Sequence, residues 1–116
     1  MGTLNEAIKV GDISDGAMRK IAIRGQEILL ARAGDTYYAA SNLCPHMNGD
    51  LSRGKLEGTI VTCPRHASRF DLKDGSVVRW LKGSGLIAAL GKTLKSPRPL
   101  KTYPVTIEGD SVLVEI

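Results

Sequence analysis

The amino-acid sequence predicts an all-β fold. Short stretches that alternate in the strand manner, or that are rich in β-branched and aromatic residues, follow one another closely, and turn residues separate them. Such closely spaced short strands are typical of an antiparallel sandwich or barrel. The chain has 116 residues, which is the length of one domain, and no linker or repeat divides it. We therefore expect a single domain over residues 1–116.

Turn residues mark the ends of the predicted strands. Residues 18–23 and 27–33 flank a turn at Gly25-Gln26, and residues 36–40 follow a short connection at Gly34-Asp35. Later strands are predicted at residues 59–62, 70–72, 77–78, 102–107 and 111–116, with turns at Asp74-Gly75 and Gly109-Asp110.

One segment departs from the β pattern. Between residues 84 and 95, Ile87, Leu90 and Leu94 recur at helical spacing, and Ser84 is a suitable N-terminal cap. We predict a short helical segment near 84–95 whose apolar stripe packs on the β base.

The charge is basic overall, with 16 Lys and Arg against 12 Asp and Glu. Aromatic residues make up only 4% of the chain, so the interleaved rings of a single-strand nucleic-acid site are missing. We expect no nucleic-acid partner, and we interpret the basic stretch as a solvated face or a docking surface for an acidic protein. That stretch contains Arg79, Lys82, Lys92, Lys95, Arg98 and Lys101 and no acidic residue.

The sequence offers no membrane or export signal. The longest uncharged apolar run, residues 86–90, is far too short to cross a bilayer. The first ten residues lack a cationic start followed by an apolar block. We expect a soluble, cytoplasmic protein.

Both cysteines and both histidines of the chain lie in two short motifs. These are Cys44-Pro45-His46 and Cys63-Pro64-Arg65-His66. Thiolate and imidazole are the ligands that iron–sulfur clusters and zinc select. Two such loops, side by side, could offer both sulfurs to one metal and both nitrogens to a second. That arrangement suits a two-iron cluster with mixed ligands.

Two other interpretations use the same residues. A tetrahedral zinc site with two Cys and two His has the same number of ligands, although zinc sites more often pair Cys with Cys and His with His. A disulfide between Cys44 and Cys63 would leave both histidines unexplained, and a reducing compartment disfavours it.

The segment from residue 44 to residue 75 resembles the Rieske [2Fe–2S] domain. Besides the two metal motifs, the resemblance rests on Leu51-Ser52, Gly54, Gly58 and Phe70-Asp71-x-x-x-Gly75. It implies a Rieske-type fold, with an antiparallel β-sandwich or barrel base and a small inserted cluster-binding subdomain at about 43–76. It also implies that Cys44 and Cys63 bind the inner iron of the cluster.

By the same resemblance, His46 and His66 bind the outer iron, near solvent. The high-potential members of the family carry a disulfide between the two loops, whereas this chain has Gly49 and Arg65 at the corresponding positions. A hydroxyl from Ser68 could hydrogen-bond a sulfide and raise the potential, but Phe70 cannot donate one. We therefore expect a low-to-intermediate potential.

Family members often have Gly after the second histidine, where this chain has Ala67. If that position requires a positive φ, the alanine is strained there.

The resemblance to soluble Rieske ferredoxins implies an electron carrier and not an enzyme. An oxygenase of this class needs a further mononuclear iron held by two more histidines and a carboxylate, and both histidines are already used. We expect a monomeric one-electron carrier between a reductase, typically a flavoprotein, and a terminal oxygenase or other oxidoreductase. The alternatives are a small subunit of a larger redox enzyme such as assimilatory nitrite reductase, and a zinc-stabilised binding module.

The partner is expected to dock at the tip that carries the two histidines. Pro45, Met47 and Pro64 would give this tip apolar contacts, and Arg65 would add positive charge. Arg53 and Arg69 are candidates for further positive charge at its edge.

Overall fold

The computed structural model describes residues 2–45, 49–64, 67–79 and 98–116. Within these ranges the chain forms eleven strands in three antiparallel sheets, together with one 3₁₀ turn at Leu51–Arg53. The prediction of an all-β fold is confirmed.

The strands are divided among three sheets. The first sheet has the order β1 (Leu4–Lys9), β11 (Ser111–Glu115), β10 (Val105–Glu108). The second has the order β2 (Met18–Ile23), β3 (Gln26–Ala33), β4 (Thr36–Ser41), β9 (Thr102–Tyr103). The third has the order β5 (Lys55–Glu57), β6 (Ile60–Thr62), β7 (Arg69–Asp71), β8 (Val77–Arg79).

The second sheet is the central layer, because its longest strand is buried on both faces. Four consecutive residues of β3, Ile28, Leu29, Leu30 and Ala31, have no exposed surface. Ile28 and Leu30 pack with the buried valines of β11, whereas Leu29 and Ala31 pack with residues of the third sheet and with both cysteines. Successive side chains of β3 therefore belong to two different hydrophobic cores, one on each face of the sheet. Because both faces are buried, the sequence of β3 is continuously apolar.

The hairpin turns lie close to their predicted positions. Gly34-Asp35 joins β3 to β4, and Gly109-Asp110 joins β10 to β11, as expected. The turn between β2 and β3 is formed by Arg24 and Gly25, one residue earlier than predicted. Both have positive φ, 51° and 80°, which is the backbone that two-residue hairpins favour.

The strand predicted at residues 102–107 was wrong as a single element. It divides at Pro104, and its halves belong to different sheets, since β9 pairs with β4 and β10 pairs with β11. Proline has no N–H to donate to a ladder, so it marks the place where the chain leaves one sheet for another. Strands β1 and β5 were not predicted, because the sequence of β1 has no regular alternation of apolar and polar residues and β5 has only three residues.

The predicted helical segment near 84–95 lies outside the described residues, as does most of the basic stretch between Arg79 and Lys101. In the part of the chain that the structure describes, no helix has the length and apolar character needed to span a membrane.

Candidate metal centre

The first cysteine motif opens a tight loop after β4. Leu43 and Asp50 form an isolated antiparallel bridge, and the Cys44 N–H donates to the Gly49 carbonyl across an N···O distance of 2.9 Å. These contacts bring the chain back beside itself within a few residues. Cys44 is fully buried at the base of the loop, and Pro45 follows it at partial exposure.

The second cysteine motif opens a similar loop between β6 and β7. The Cys63 N–H donates to the Ser68 carbonyl at 2.8 Å, and the Ala67 N–H donates back to the Cys63 carbonyl at 3.1 Å. Cys63 is 3% exposed, whereas Pro64 beside it is exposed. Pairing of β6 with β7, which aligns Thr62 with Arg69, holds the two ends of this loop together.

The two loops are closed in the same way. In each, the cysteine N–H donates to the carbonyl five residues further along, at Gly49 in one loop and at Ser68 in the other. Both cysteines therefore stand at the same point of loops of equal size. This repeated geometry is what we would expect if each loop supplied one ligand to the same metal centre.

The sulfur-bearing residues belong to one buried cluster. Cys44 and Cys63 pack in the same apolar core with Leu51, Val61 and Phe70. Two thiols held together in an apolar core provide the soft donors that iron or zinc selects, and the surroundings exclude water from the metal. The donor set therefore fits a thiolate-bound metal centre.

The predicted nitrogen ligands, His46 and His66, lie outside the described residues, as do Met47 and Arg65. The structure thus brings together the two predicted sulfur ligands in one buried cluster, and the ligand roles of all four residues stay predictions. Among the predicted tip residues, Pro45 and Pro64 follow directly after the two cysteines, one in each loop.

Ser68 and Phe70 lie directly beneath the second loop. Both are fully buried, which is common for phenylalanine and rare for serine. The Ser68 carbonyl closes the loop, and Phe70 pairs with Val61 across the sheet while packing against the cysteine core. Their burial next to Cys63 agrees with roles beside the metal, and the hydrogen bond from Ser68 to a sulfide stays a prediction.

Ala67 adopts a left-handed backbone. Its φ is +59°, in the region that favours glycine, so the strain expected for an alanine at this position is present. The Arg79 side chain fixes the same residue from outside the loop, because its Nε donates to the Ala67 carbonyl at 3.1 Å. Sequence reasoning did not identify Arg79 as a support of the loop.

A buried polar network supports the first loop. Asn42 is fully buried, and its Nδ2 donates to the Asp50 carboxylate at 2.8 Å while its Oδ1 accepts from the Ser52 backbone N–H at 2.9 Å. The Leu51 N–H donates to the Asn42 carbonyl at 3.0 Å. Sequence reasoning missed this network. The only available signals were a polar residue two positions before Cys44 and an Asp-x-Ser pattern that caps a turn.

Asp50 combines several of these contacts. Its carboxylate accepts from the Ser52 hydroxyl at 2.5 Å and caps the 3₁₀ turn. Lys20 and Arg53 approach the other carboxylate oxygen at 3.6 and 3.5 Å. The Ser52 hydrogen bond, helped by Asn42 and Lys20, lowers the pKa of Asp50 below its usual value of 3.8.

Two glycines of the predicted motif allow close backbone approach. A side chain at Gly54 would place its Cβ 1.8 Å from the Thr62 carbonyl oxygen, and one at Gly75 would place it 1.9 Å from the Leu100 carbonyl oxygen. Gly75 also has a φ of +80°. These positions explain why glycine stands there, since any other residue would separate the third sheet from the segments it touches.

Taken together, a three-sheet β fold and two matching cysteine loops define a small β protein with a thiolate-bound metal centre. A family model described as the Rieske [2Fe-2S] domain matches residues 3–104. The chain belongs to the Rieske [2Fe–2S] domain family. This membership implies a Rieske-type [2Fe–2S] cluster and confirms the predictions of the family and the cofactor.

The relatives that match over nearly the whole chain are ferredoxin components. The ferredoxin component of the naphthalene 1,2-dioxygenase system of Pseudomonas putida is 33% identical, over 96% of this chain and 93% of the relative. The ferredoxin component of biphenyl 2,3-dioxygenase of Rhodococcus jostii is 29% identical, over 97% of this chain and 92% of the relative. These matches confirm the prediction of an electron-transfer protein that is not itself an enzyme.

The fold also matches solved structures over nearly the whole chain. The ferredoxin of carbazole 1,9a-dioxygenase from Nocardioides aromaticivorans superposes with a TM-score of 0.80 at 26% identity, over 97% of this chain and 96% of that one. The terminal oxygenase of the same system shares the fold, with a TM-score of 0.81 at 23% identity, over 97% of this chain and 30% of the oxygenase. The prediction of a Rieske-type fold is confirmed.

Proposed function

We propose that the protein carries single electrons from a flavoprotein reductase to the terminal oxygenase of a dioxygenase system that acts on aromatic compounds. The observation that carries this proposal is the match, over nearly the full length of both chains, to ferredoxin components of naphthalene and biphenyl dioxygenases. The paired cysteine loops supply the matching site, because they hold two buried thiols at the same point of equal loops.

We further propose the complete ligand set. Cys44 and Cys63 would bind the inner iron, and His46 and His66 the outer iron, within a cluster-binding subdomain at about 43–76. When bound, the cluster accepts and gives up one electron. The chain supports it by burying both thiols and by limiting movement of the loops, which reduces the rearrangement that accompanies a change of charge.

The docking tip is part of the same proposal. Pro64 is exposed beside buried Cys63, and Pro45 is half-buried beside Cys44, so apolar surface adjoins both sulfur ligands. Met47 and Arg65 would complete this tip. A partner that contacts the prolines would approach the metal as closely as the chain allows.

We also propose that the carrier works in the cytoplasm as a monomer. Support for the compartment comes from the proposed cluster, which requires Cys44 and Cys63 as thiolates. A reducing compartment keeps such thiols available for a metal.

The ligand set is tested by low-temperature EPR of the anaerobically purified, dithionite-reduced protein, combined with metal analysis. We expect two iron atoms per chain and a rhombic signal with an average g below that of ferredoxins with four cysteine ligands. His46→Cys and His66→Cys should each move the signal toward the four-cysteine type. Stoichiometric zinc without iron would instead establish a structural two-Cys, two-His site.

The carrier role is tested by reconstitution. The reductase and oxygenase components of the Pseudomonas putida naphthalene 1,2-dioxygenase system would be mixed with the holoprotein, and product formation followed. We expect turnover to require the added protein and to be lost with Cys63→Ser. Reduction of the holoprotein by the reductase, measured separately, distinguishes a poor match to this oxygenase from an absence of carrier activity. Stoichiometric co-purification with a large redox enzyme would instead indicate a fixed subunit.

A further inference from the structure

A groove lined by cationic side chains runs beside the second cysteine loop. It has a volume of about 450 Å³, and Cys63, Pro64 and Ala67 form the part of its wall that belongs to the loop. Four basic residues from three strands and the 3₁₀ turn surround it. We call this set the basic groove, and it consists of Arg53, Lys55, Arg69 and Arg79.

The positive charge of the basic groove is only partly balanced within the described residues. Glu57 is the acidic residue in its lining, and it approaches Arg69 at 3.5 Å. Asp50, at the edge, approaches Arg53 at 3.5 Å. Two carboxylates against four cations leave a clear positive excess beside the cysteine loop.

Arg69 is held loosely for a half-buried arginine. Its Nη2 pairs with an exposed carboxylate at 3.5 Å, and its buried Nε has no hydrogen-bond partner among the described residues. A buried donor without an acceptor costs free energy. A carboxylate that enters the groove could bond the accessible part of this guanidinium, since the side chain is 30% exposed and arginine binds carboxylates through two parallel N–H groups.

The exposure of the other cations favours a protein surface over a small free anion. The Arg53 side chain is 82% exposed and Lys55 is also exposed, so they act at a distance and do not enclose a ligand. Exposed charges of one sign chiefly raise the rate at which an oppositely charged protein docks. A second basic hollow, with Arg98 and Lys101 in its lining, adjoins Pro45 of the first loop.

We propose that the basic groove receives carboxylate side chains of the redox partner and guides that partner to the Cys63 loop. The proposal rests on the carrier function and adds the chemistry of the partner's docking face, which is acidic. Docking at the groove brings the partner against Pro64, next to a buried sulfur ligand. No bond forms or breaks in this step, and a single electron then passes between the two proteins.

The first experiment measures whether the positive charge of the basic groove accelerates electron transfer to a small anionic oxidant. The reduced holoprotein is mixed in a stopped-flow instrument with ferricyanide, a trianion that takes one electron and becomes ferrocyanide. At about 10 mM ionic strength, where screening extends over about 30 Å, Lys55→Gln and Arg53→Gln should each slow oxidation by about threefold. The matched control Lys9→Gln, in the first sheet, removes the same charge outside the groove and should slow oxidation much less. Equal rates in the groove variants and the control would overturn the proposal.

A cationic oxidant should show the opposite dependence on the charge of the groove. With tris(phenanthroline)cobalt(III), Lys55→Gln should accelerate oxidation, and the effect should disappear at high ionic strength. Slower oxidation of Lys55→Gln by both reagents would indicate a damaged metal site and would contradict an electrostatic role.

The second experiment tests protein-borne carboxylates directly. Poly-L-glutamate should slow oxidation by ferricyanide in the unmodified protein and in Lys9→Gln, and calorimetry should show that it binds. Both effects should fall at least severalfold in the Lys55→Gln, Arg69→Gln double variant. Free glutamate at the same carboxylate concentration should have no effect. An equal effect of free glutamate would identify a small-anion site and overturn the docking proposal.

The two proposals can fail separately. If the preparation gives no reversible one-electron reduction, the carrier function fails, while calorimetry with poly-L-glutamate still tests the groove. If reduction is reversible but insensitive to charge at the groove, the docking proposal alone fails.

Discussion

Asn42 and Asp50 are bonded side chain to side chain across the base of the first cysteine loop, with 2.8 Å between the amide nitrogen and the carboxylate oxygen. The same two residues flank the hydrogen bond from Cys44 to Gly49, and Asp50 also forms the isolated bridge with Leu43. Because Asn42 is fully buried, its amide has no water to replace these partners. The pair therefore holds the position of Cys44 at the base of its loop.

We predict that Asn42→Ala destabilises the protein and loosens its metal centre. The change removes one hydrogen bond to the Asp50 carboxylate and one from the Ser52 N–H, at a cost of about 1–3 kcal/mol. Thermal unfolding should shift to lower temperature, and loss of the visible cluster absorbance in the presence of a chelator should accelerate. Asn5→Ala is the control, because Asn5 donates to backbone carbonyls of Thr3 and Val114, outside both cysteine loops. An equal effect of the two changes would show that the network has no special relation to the loop.

Acidification should weaken the same network. The pKa of Asp50 is lowered in the folded protein, first by the Ser52 hydroxyl. A group with a lowered folded pKa stabilises the fold above its unfolded pKa and loses that contribution as the pH falls through the folded value. The loss should therefore occur below about pH 4. Unfolding temperatures measured from pH 7 downward should fall less steeply for Asp50→Asn, and Ser52→Ala should be intermediate. Parallel curves for all three proteins would contradict this assignment.

The sequence predicted the two candidate sulfur ligands but not the residues that hold their loops in place, and the difference has a physical reason. Cysteine is rare and chemically specific, so the two Cys-His motifs were enough to propose Cys44 and Cys63 as ligands. Asn42 and Arg79 act through contacts with residues distant in sequence or with backbone carbonyls. Such contacts exist only once the chain has folded, and nothing about a single asparagine or arginine marks it in advance.

The same contrast holds for the strands. The turn glycines and the buried run of β3 carry strong local signals, and these elements were predicted within about two residues. Strand β1 forms because β11 pairs with it along its length, from Leu4 opposite Glu115 to Lys9 opposite Ser111. That partner lies at the far end of the chain, so local periodicity gave no indication of the strand.

Replacing the strained alanine of the second loop should stabilise the protein. Ala67 has a φ of +59°, which an alanine adopts at a cost of about 1–2 kcal/mol. Ala67→Gly removes this cost and loses part of the gain to the greater freedom of the unfolded chain. We expect a net stabilisation of about 0.5–1 kcal/mol in denaturant unfolding. The control Ala22→Gly, at an exposed position of strand β2, should lower the free energy of unfolding. If both changes lowered it equally, Ala67 would not be strained.

The final prediction concerns the reduction potential. Ser68 is fully buried beneath the second loop, and its carbonyl accepts from the Cys63 N–H at 2.8 Å, so the residue lies beside a proposed sulfur ligand. A hydroxyl that donates to a sulfide stabilises the reduced, more negative state. If that hydrogen bond contributes about 1 kcal/mol, its removal in Ser68→Ala lowers a one-electron potential by roughly 40 mV. Protein-film voltammetry measures this shift.

Two companion variants make the measurement specific to the hydroxyl. Ser68→Thr keeps the hydroxyl and should retain most of the potential, provided that its EPR spectrum is unchanged. Ser76→Ala removes an exposed serine from the turn before β8 and should leave the potential where it was. If Ser68→Ala and Ser76→Ala have the same potential, the Ser68 hydroxyl does not donate to the cluster, and the potential would then depend on the proposed ligands and on the burial of the two cysteines.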